Sequence, residues 1–166
     1  GKKIYNPTNF VLAFGQSNSA NNGDPEAFIN FEHPNFTFIN NASGRGTSVW
    51  PRLGKLLIDR NVNVTVVSIG IGGTTIEFWI GKVFRYNLNG NTILMESLNT
   101  YRDNITKIVY HQGESDALIK TSKNDYKESF KIMIAQIQNI TNVPFYLSVA
   151  SKGCGNDSYM EIQKAQ

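Results

Sequence analysis

The chain is poorest in the residues that would announce a disulfide framework, a metal centre or a membrane span. It has one cysteine, Cys154, in a Gly153-Cys154-Gly155 loop, which excludes an internal disulfide and any cysteine-built metal site. Only two histidines occur, His33 and His111. No apolar stretch approaches the length of a membrane span, and the opening Gly-Lys-Lys-Ile lacks the apolar segment of a signal peptide. The expectation is a soluble chain without a membrane partner, processed or trimmed at its start. Charge is also sparse in pattern: the net +3 comes from 16 Lys and Arg that nowhere run longer than Lys2-Lys3, which gives nucleic-acid binding no support. A dinucleotide fingerprint is missing as well, because the sixth position counted from Gly70 is Thr75 where a third glycine is required.

Asparagine, by contrast, is abundant, at 20 of 166 residues, and Asn35, Asn41, Asn63, Asn104, Asn139 and Asn156 open Asn-x-Ser/Thr sequons. Asn63 starts an apparent core strand and is a poor glycan site, so the excess reads mainly as compositional bias. The compartment is not fixed by the sequence; secreted or extracellular is favoured over cytoplasmic. With 40% hydrophobic residues, the 166 residues suffice for one domain with its own core.

Four apolar runs stand out. Phe10 to Phe14, Val62 to Ile71, Ile105 to Tyr110 and Pro144 to Ala150 read as strands, the second rich in β-branched residues and buried on both faces. Between them, the spacing of Leu53, Leu56 and Leu57 predicts a helix capped by Thr47 or Ser48, with Pro51 in its first turn. Helices are also predicted over 92–104 and 124–140, and Ser158 can cap a last one over 159–166. Residues 19–46, rich in Asn, Gly and Pro with isolated aromatics at Phe28, Phe31, Phe36 and Phe38, read as a long irregular connection, a candidate wall for a substrate pocket. The alternation of strands and helices predicts an α/β fold with a mainly parallel sheet and helices on both faces.

Three of these strands end in polar, glycine-containing clusters: Gly15-Gln16-Ser17-Asn18, Gly72-Gly73-Thr74-Thr75-Ile76-Glu77-Phe78-Trp79 and His111-Gln112-Gly113-Glu114-Ser115-Asp116. In a parallel sheet their carboxyl ends share one edge, where such folds put their chemistry. Taken alone, Ser17 is equally a helix cap or a nucleophile facing the free N–H groups of a helix start. Convergence of the three clusters favours the second.

The three clusters, in this order, resemble blocks I, II and III of the SGNH hydrolases, most nearly the branch of sialate O-acetylesterase-like and acetylxylan-esterase-like carbohydrate esterases. The resemblance implies a flavodoxin-like three-layer α/β/α domain over 1–166, lacking its C-terminal part. It implies no cofactor and no metal, and an acetylated carbohydrate as substrate. It makes Ser17 the nucleophile. The oxyanion donors would be the N–H groups of Ser17 and Gly73, with Gly72 as the lesser candidate for the second, and the Gln112 side chain. Asn18, Glu114 and Asp116 would support the loops. The family's base, a histidine in a C-terminal Asp-x-x-His block, has no counterpart here. His111 belongs to the third block and His33 lies beside Pro34, so the expected partner is a second fragment of the same precursor carrying Asp and His. The competing readings are a catalytically inactive glycan-binding module on the esterase scaffold and a flavodoxin-like nucleotide binder.

Overall fold

The computed structural model describes residues 8–24, 30–150 and 158–166. Phe28, Cys154 with Gly153 and Gly155, and the Asn156 sequon lie outside the described residues.

Five strands form one parallel sheet. In chain order they are β1 (Asn9–Gly15), β2 (Phe36–Asn40), β3 (Val64–Ser68), β6 (Lys107–His111) and β7 (Phe145–Ser148), arranged in space as β2-β3-β1-β6-β7. A separate antiparallel pair, β4 (Phe84–Arg85) and β5 (Leu88–Asn89), makes a small hairpin. The helices are α1 (Trp50–Ile58), α2 (Ile76–Trp79), α3 (Gly90–Tyr101), α4 (Glu114–Leu118), α5 (Lys123–Gln138) and α6 (Ser158–Ala165).

The apolar runs explain the order. Leu12, Ala13 and Phe14 are wholly buried, as are Val66 and Val67, because β1 and β3 are covered on both faces. On one face Leu12, Phe14, Val67, Ile108 and Tyr110 pack with Phe78 and Trp79 of α2, Leu94 and Leu98 of α3, and Met133 and Ile137 of α5. On the other, Ala13, Val64 and Val66 pack with Trp50 and Ile58 of α1 and with Phe36. Burying each Val, Leu, Ile, Phe or Met side chain among these contributes about 1.5–3 kcal/mol. The sheet with helices on both faces is the three-layer architecture that the alternating pattern predicts.

Two local expectations need correction. Residues 36–40 are strand β2, although they fall inside the stretch read as irregular. The segment is an edge strand whose Phe-Thr-Phe-Ile run lies between Pro34-Asn35 and Asn40-Asn41, turn formers that mask it. The Ser17 turn is not the start of an α-helix; residues 17–19 make a single 3-10 turn, closed by Ser19 N–H to Gln16 O at 3.0 Å and Ala20 N–H to Ser17 O at 3.1 Å. Asn and Gly follow, residues that leave a helix readily for turns. The sequence pattern also leaves out one short helix, α4, which starts inside the third block after Gly113 at φ 138°.

The chain order places β3 and β6 on either side of β1. All three polar clusters therefore leave the sheet at its carboxyl edge as neighbours, at the point where the order reverses about β1.

Candidate active site

Block I is set by the fit of β1 against β6. Gly15 pairs with His111, at φ 128°, and the next peptide is held by Gln16 N–H to His111 O at 3.0 Å. The 3-10 turn then reverses the chain and is fixed from below. Ser19 O accepts from the Trp50 indole Nε1 at 3.1 Å and from Ser68 Oγ at 2.5 Å, while Ser19 Oγ donates to Gln16 O at 2.8 Å. Gln16 and Ser19 are buried and Ser17 between them is half-exposed. Neither the hydroxyl nor the N–H of Ser17 has a hydrogen-bond partner among the described residues. The side chain borders a cleft of about 250 Å³ walled by Asn18, Asn22, Asp24, Thr47, Val49 and Arg52 among others.

In block II the two glycines are distinguishable. Gly72 N–H donates to Ser43 Oγ at 2.8 Å, and its carbonyl accepts from Arg85 Nε at 3.1 Å. Gly73, at φ 69°, has an N–H with no partner among the described residues. Of the pair, Gly73 alone has a donor to offer. A side chain at Gly72 would meet the Asn22 amide, which ties this loop to the wall of the Ser17 cleft.

Block III locks the other two together. Gln16 donates from Nε2 to Glu114 Oε2 at 2.6 Å, and its Oε1 accepts from Ser115 N–H at 3.0 Å and Ser115 Oγ at 2.5 Å. The other Glu114 oxygen accepts from Asn18 Nδ2 at 2.8 Å and lies 3.2 Å from His111 Nε2. Burial by itself would raise the Glu114 carboxyl. Hydrogen bonds from His111, from its own backbone and from Asn18 outweigh that and hold it below its ordinary value.

Asp116 is wholly buried and accepts the Ile76 N–H at 3.1 Å on both oxygens, which ties the start of α2 to block III. Burial pushes its carboxyl up to about 6, against the lowering effect of hydrogen bonds from Ile76, Gln112 and Thr121. Gln112 is equally buried, and its Nε2 donates to Thr74 O at 2.5 Å and Asp116 Oδ2 at 3.0 Å. The amide's two N–H groups are thus committed inward, while its Oε1 is buried without a partner. The expected outward donor is, in this arrangement, a strut between blocks II and III; the buried carboxylate beside it is the stronger acceptor and takes the amide.

Neither histidine borders the Ser17 cleft. His111 is bonded within its own loop, and His33 accepts the Asn35 N–H at 3.1 Å and stacks on Phe31. No three His, Cys, Asp or Glu side chains gather into a metal-binding group among the described residues. Sequence reasoning overlooked Trp50, which anchors the turn, and Arg85, which bonds the block II carbonyl. Both reach the site from outside the blocks.

The family model for carbohydrate esterases described as sialic acid-specific acetylesterase matches residues 28–166. The chain belongs to this family. No curated protein matches it in sequence. Among solved structures, a protein from Arabidopsis thaliana is 16% identical, with a TM-score of 0.71 over 96% of this chain and 81% of that one. A family 3 carbohydrate esterase from Clostridium thermocellum is 15% identical, with a TM-score of 0.65 over 96% and 69%. AlinE4, an SGNH-hydrolase family esterase, is 16% identical, with a TM-score of 0.61 over 98% and 70%. At this identity the likeness is one of fold, and the fold is that of the SGNH hydrolases. This member of the carbohydrate-esterase family has the superfamily, branch and parallel α/β architecture that its three blocks imply.

Proposed function

We propose that the protein is a serine esterase that removes O-acetyl groups from a carbohydrate through an acetyl-enzyme. The observation that carries this reading is Ser17, half-exposed in a cleft at the carboxyl end of the central strand, with hydroxyl and N–H both unengaged among the described residues. Its Oγ attacks the acetyl carbonyl, the proton passes to a base, and the Ser17 and Gly73 N–H groups receive the oxyanion. A well-placed donor of this kind lowers the barrier by about 3 kcal/mol. The sugar oxygen leaves with a proton, and water then releases acetate from Ser17.

Asn18, Glu114, Gln112 and Asp116 act on this site through the loops they hold, and Gly72 through its bonds to Ser43 and Arg85. The base in this reading is a histidine of an Asp-x-x-His block on a further part of the same precursor, outside these 166 residues. A single SGNH esterase domain over 1–166, completed by that part, accounts for the intact blocks. The family's sialic acid specificity makes an O-acetylated sialic acid the first substrate to test.

The experiment is acetate release from an O-acetylated sugar by the complete precursor and by its Ser17→Ala variant. A loss of about 10³-fold or more in kcat is expected from removing the nucleophile, with the fold unchanged because the hydroxyl supports nothing. Equal turnover in the variant would refute the assignment. A second reading, an inactive glycan-binding module, is favoured by the absence of a histidine from the cleft. Glycan binding with no acetate release by the complete precursor would establish it instead.

A further inference from the structure

The hairpin β4–β5 carries a cation that holds the Gly72 carbonyl but takes no part in the acyl transfer itself. Arg85 donates from Nε to Gly72 O at 3.1 Å and from Nη2 to the Tyr86 hydroxyl at 3.0 Å, and its guanidinium lies 4.7 Å from the centre of the Tyr86 ring. It makes no salt bridge, and no carboxylate pairs with it among the described residues. Of a guanidinium's five N–H donors two are used, so both terminal nitrogens keep a donor for a bidentate acceptor. A side chain at Gly73 would run into this guanidinium, which puts the charge against the very glycine proposed to receive the oxyanion.

The hairpin around it is built for display rather than for the core. Phe84 and Tyr86 are each 69% exposed, with Leu88 and Val83 also outward. The turn holds two consecutive non-glycine residues, Tyr86 and Asn87, at φ 51° and 60°, the geometry of a tight two-residue hairpin loop. A left-handed tyrosine is costly and persists only where its surroundings fix it. Here its ring and hydroxyl both fix Arg85. A pre-oriented planar cation beside the exposed Tyr86 ring matches an acidic sugar, whose carboxylate takes the guanidinium fork and whose C–H face packs on an aromatic ring.

We propose that Arg85, presented by the Phe84–Asn89 hairpin, is the specificity-determining residue that binds the carboxylate of an acidic sugar at the ester site. This rests on the esterase reading for what the bound sugar then undergoes, but the anion site is tested without turnover.

The experiment titrates the protein with N-acetylneuraminic acid and, separately, with its uncharged methyl ester, following backbone amide shifts. Removing the charged partner of a guanidinium weakens binding by about tenfold or more. The acid is therefore expected to bind at least about tenfold tighter than the ester, with shifts at Gly72, Gly73 and the hairpin. In Arg85→Gln that preference disappears, and in Arg85→Lys, which keeps the charge but not the fork, it is partly kept. Equal binding of acid and ester, binding of neither, or a preference that survives Arg85→Gln and is lost in Arg52→Gln would each overturn the proposal. The acid/ester comparison on the unaltered protein stands even where a variant fails to fold. Acid-selective binding without acetate release would fail the esterase reading alone; acetate release without acid selectivity would fail this one alone.

Discussion

Gln16 and Glu114, 98 residues apart in sequence, are joined side chain to side chain by a 2.6 Å hydrogen bond. The bond fastens the residue before Ser17 to the first residue of α4, the helix into which block III runs. Because the second Glu114 oxygen serves Asn18 and His111, one carboxylate gathers three donors from two loops.

Replacing Glu114 by Gln keeps the size of the side chain but turns one acceptor into a donor. At least one of Gln16, Asn18 and His111 then faces a like group. The expected loss is about 1–3 kcal/mol of stability, as for an unsatisfied partly buried polar group, read from urea unfolding at neutral pH. An unchanged midpoint would show that the loops are held by other contacts.

Asp116 makes the stability depend on pH with a definite sign. Its carboxyl is raised from 3.8 to about 6 in the fold by burial. The folded state therefore holds its proton where the unfolded chain has lost it. Stability from this group is full below about pH 4 and is lost as the pH rises through about 6, an effect on the order of 3 kcal/mol. Glu114 works in the opposite direction, but below its ordinary 4.5, outside most of this window. Urea unfolding between pH 4.5 and 7 should show a decline in the protein and a flatter profile in Asp116→Asn. Parallel profiles would rule Asp116 out as the source.

Much of this was legible in the residues themselves. Strands β1, β3 and β6 announce themselves because each contributes apolar side chains to the covered centre of the sheet, and β7 by its unbroken Phe145-Tyr146-Leu147 run; the parallel order then forces the polar ends of the first three together. Helix α5 is legible too, since Tyr126, Phe130, Ile134 and Ile137 recur at helical spacing; of these Tyr126 and Ile137 are buried, with Met133 between them on the same face. Strand β2 was not: it is an edge strand like β7, but Pro34 and Asn35 before it and Asn40 and Asn41 at its end set its short Phe36–Ile39 run inside a stretch of turn formers. The hairpin was hidden for a different reason: its turn is Tyr86-Asn87, without the glycine that usually marks one. For Gln112 the residue type was readable and its direction was not. Which way an amide turns depends on its neighbours, here the buried carboxylate of Asp116 and the Thr74 carbonyl, and no spacing encodes that.

The sharpest stability test of the site lies at Gly15. Its φ of 128° is outside the range that L side chains adopt, and a Cβ there would fall on the His111 carbonyl oxygen, a backbone atom of the adjacent strand. That same oxygen accepts the Gln16 N–H that begins the Ser17 turn. Gly15→Ala must therefore either pry β1 from β6 or break the bond that starts the turn, and a cost of about 3 kcal/mol or more is expected for backbone strain combined with a core clash. Gly113→Ala separates the two terms. Its φ of 138° imposes similar strain, but its nearest neighbours are the Ala150 and Ile162 side chains at 2.9 Å rather than a backbone atom. Gly72→Ala, which would meet only the Asn22 amide at 3.1 Å, serves as the mild case. Thermal unfolding of the three variants should rank Gly15→Ala as the least stable and Gly72→Ala as the closest to the parent. If Gly15→Ala melts with Gly72→Ala, the Ser17 turn does not depend on the close approach of β1 to β6, and the geometric basis for the nucleophile's position is lost.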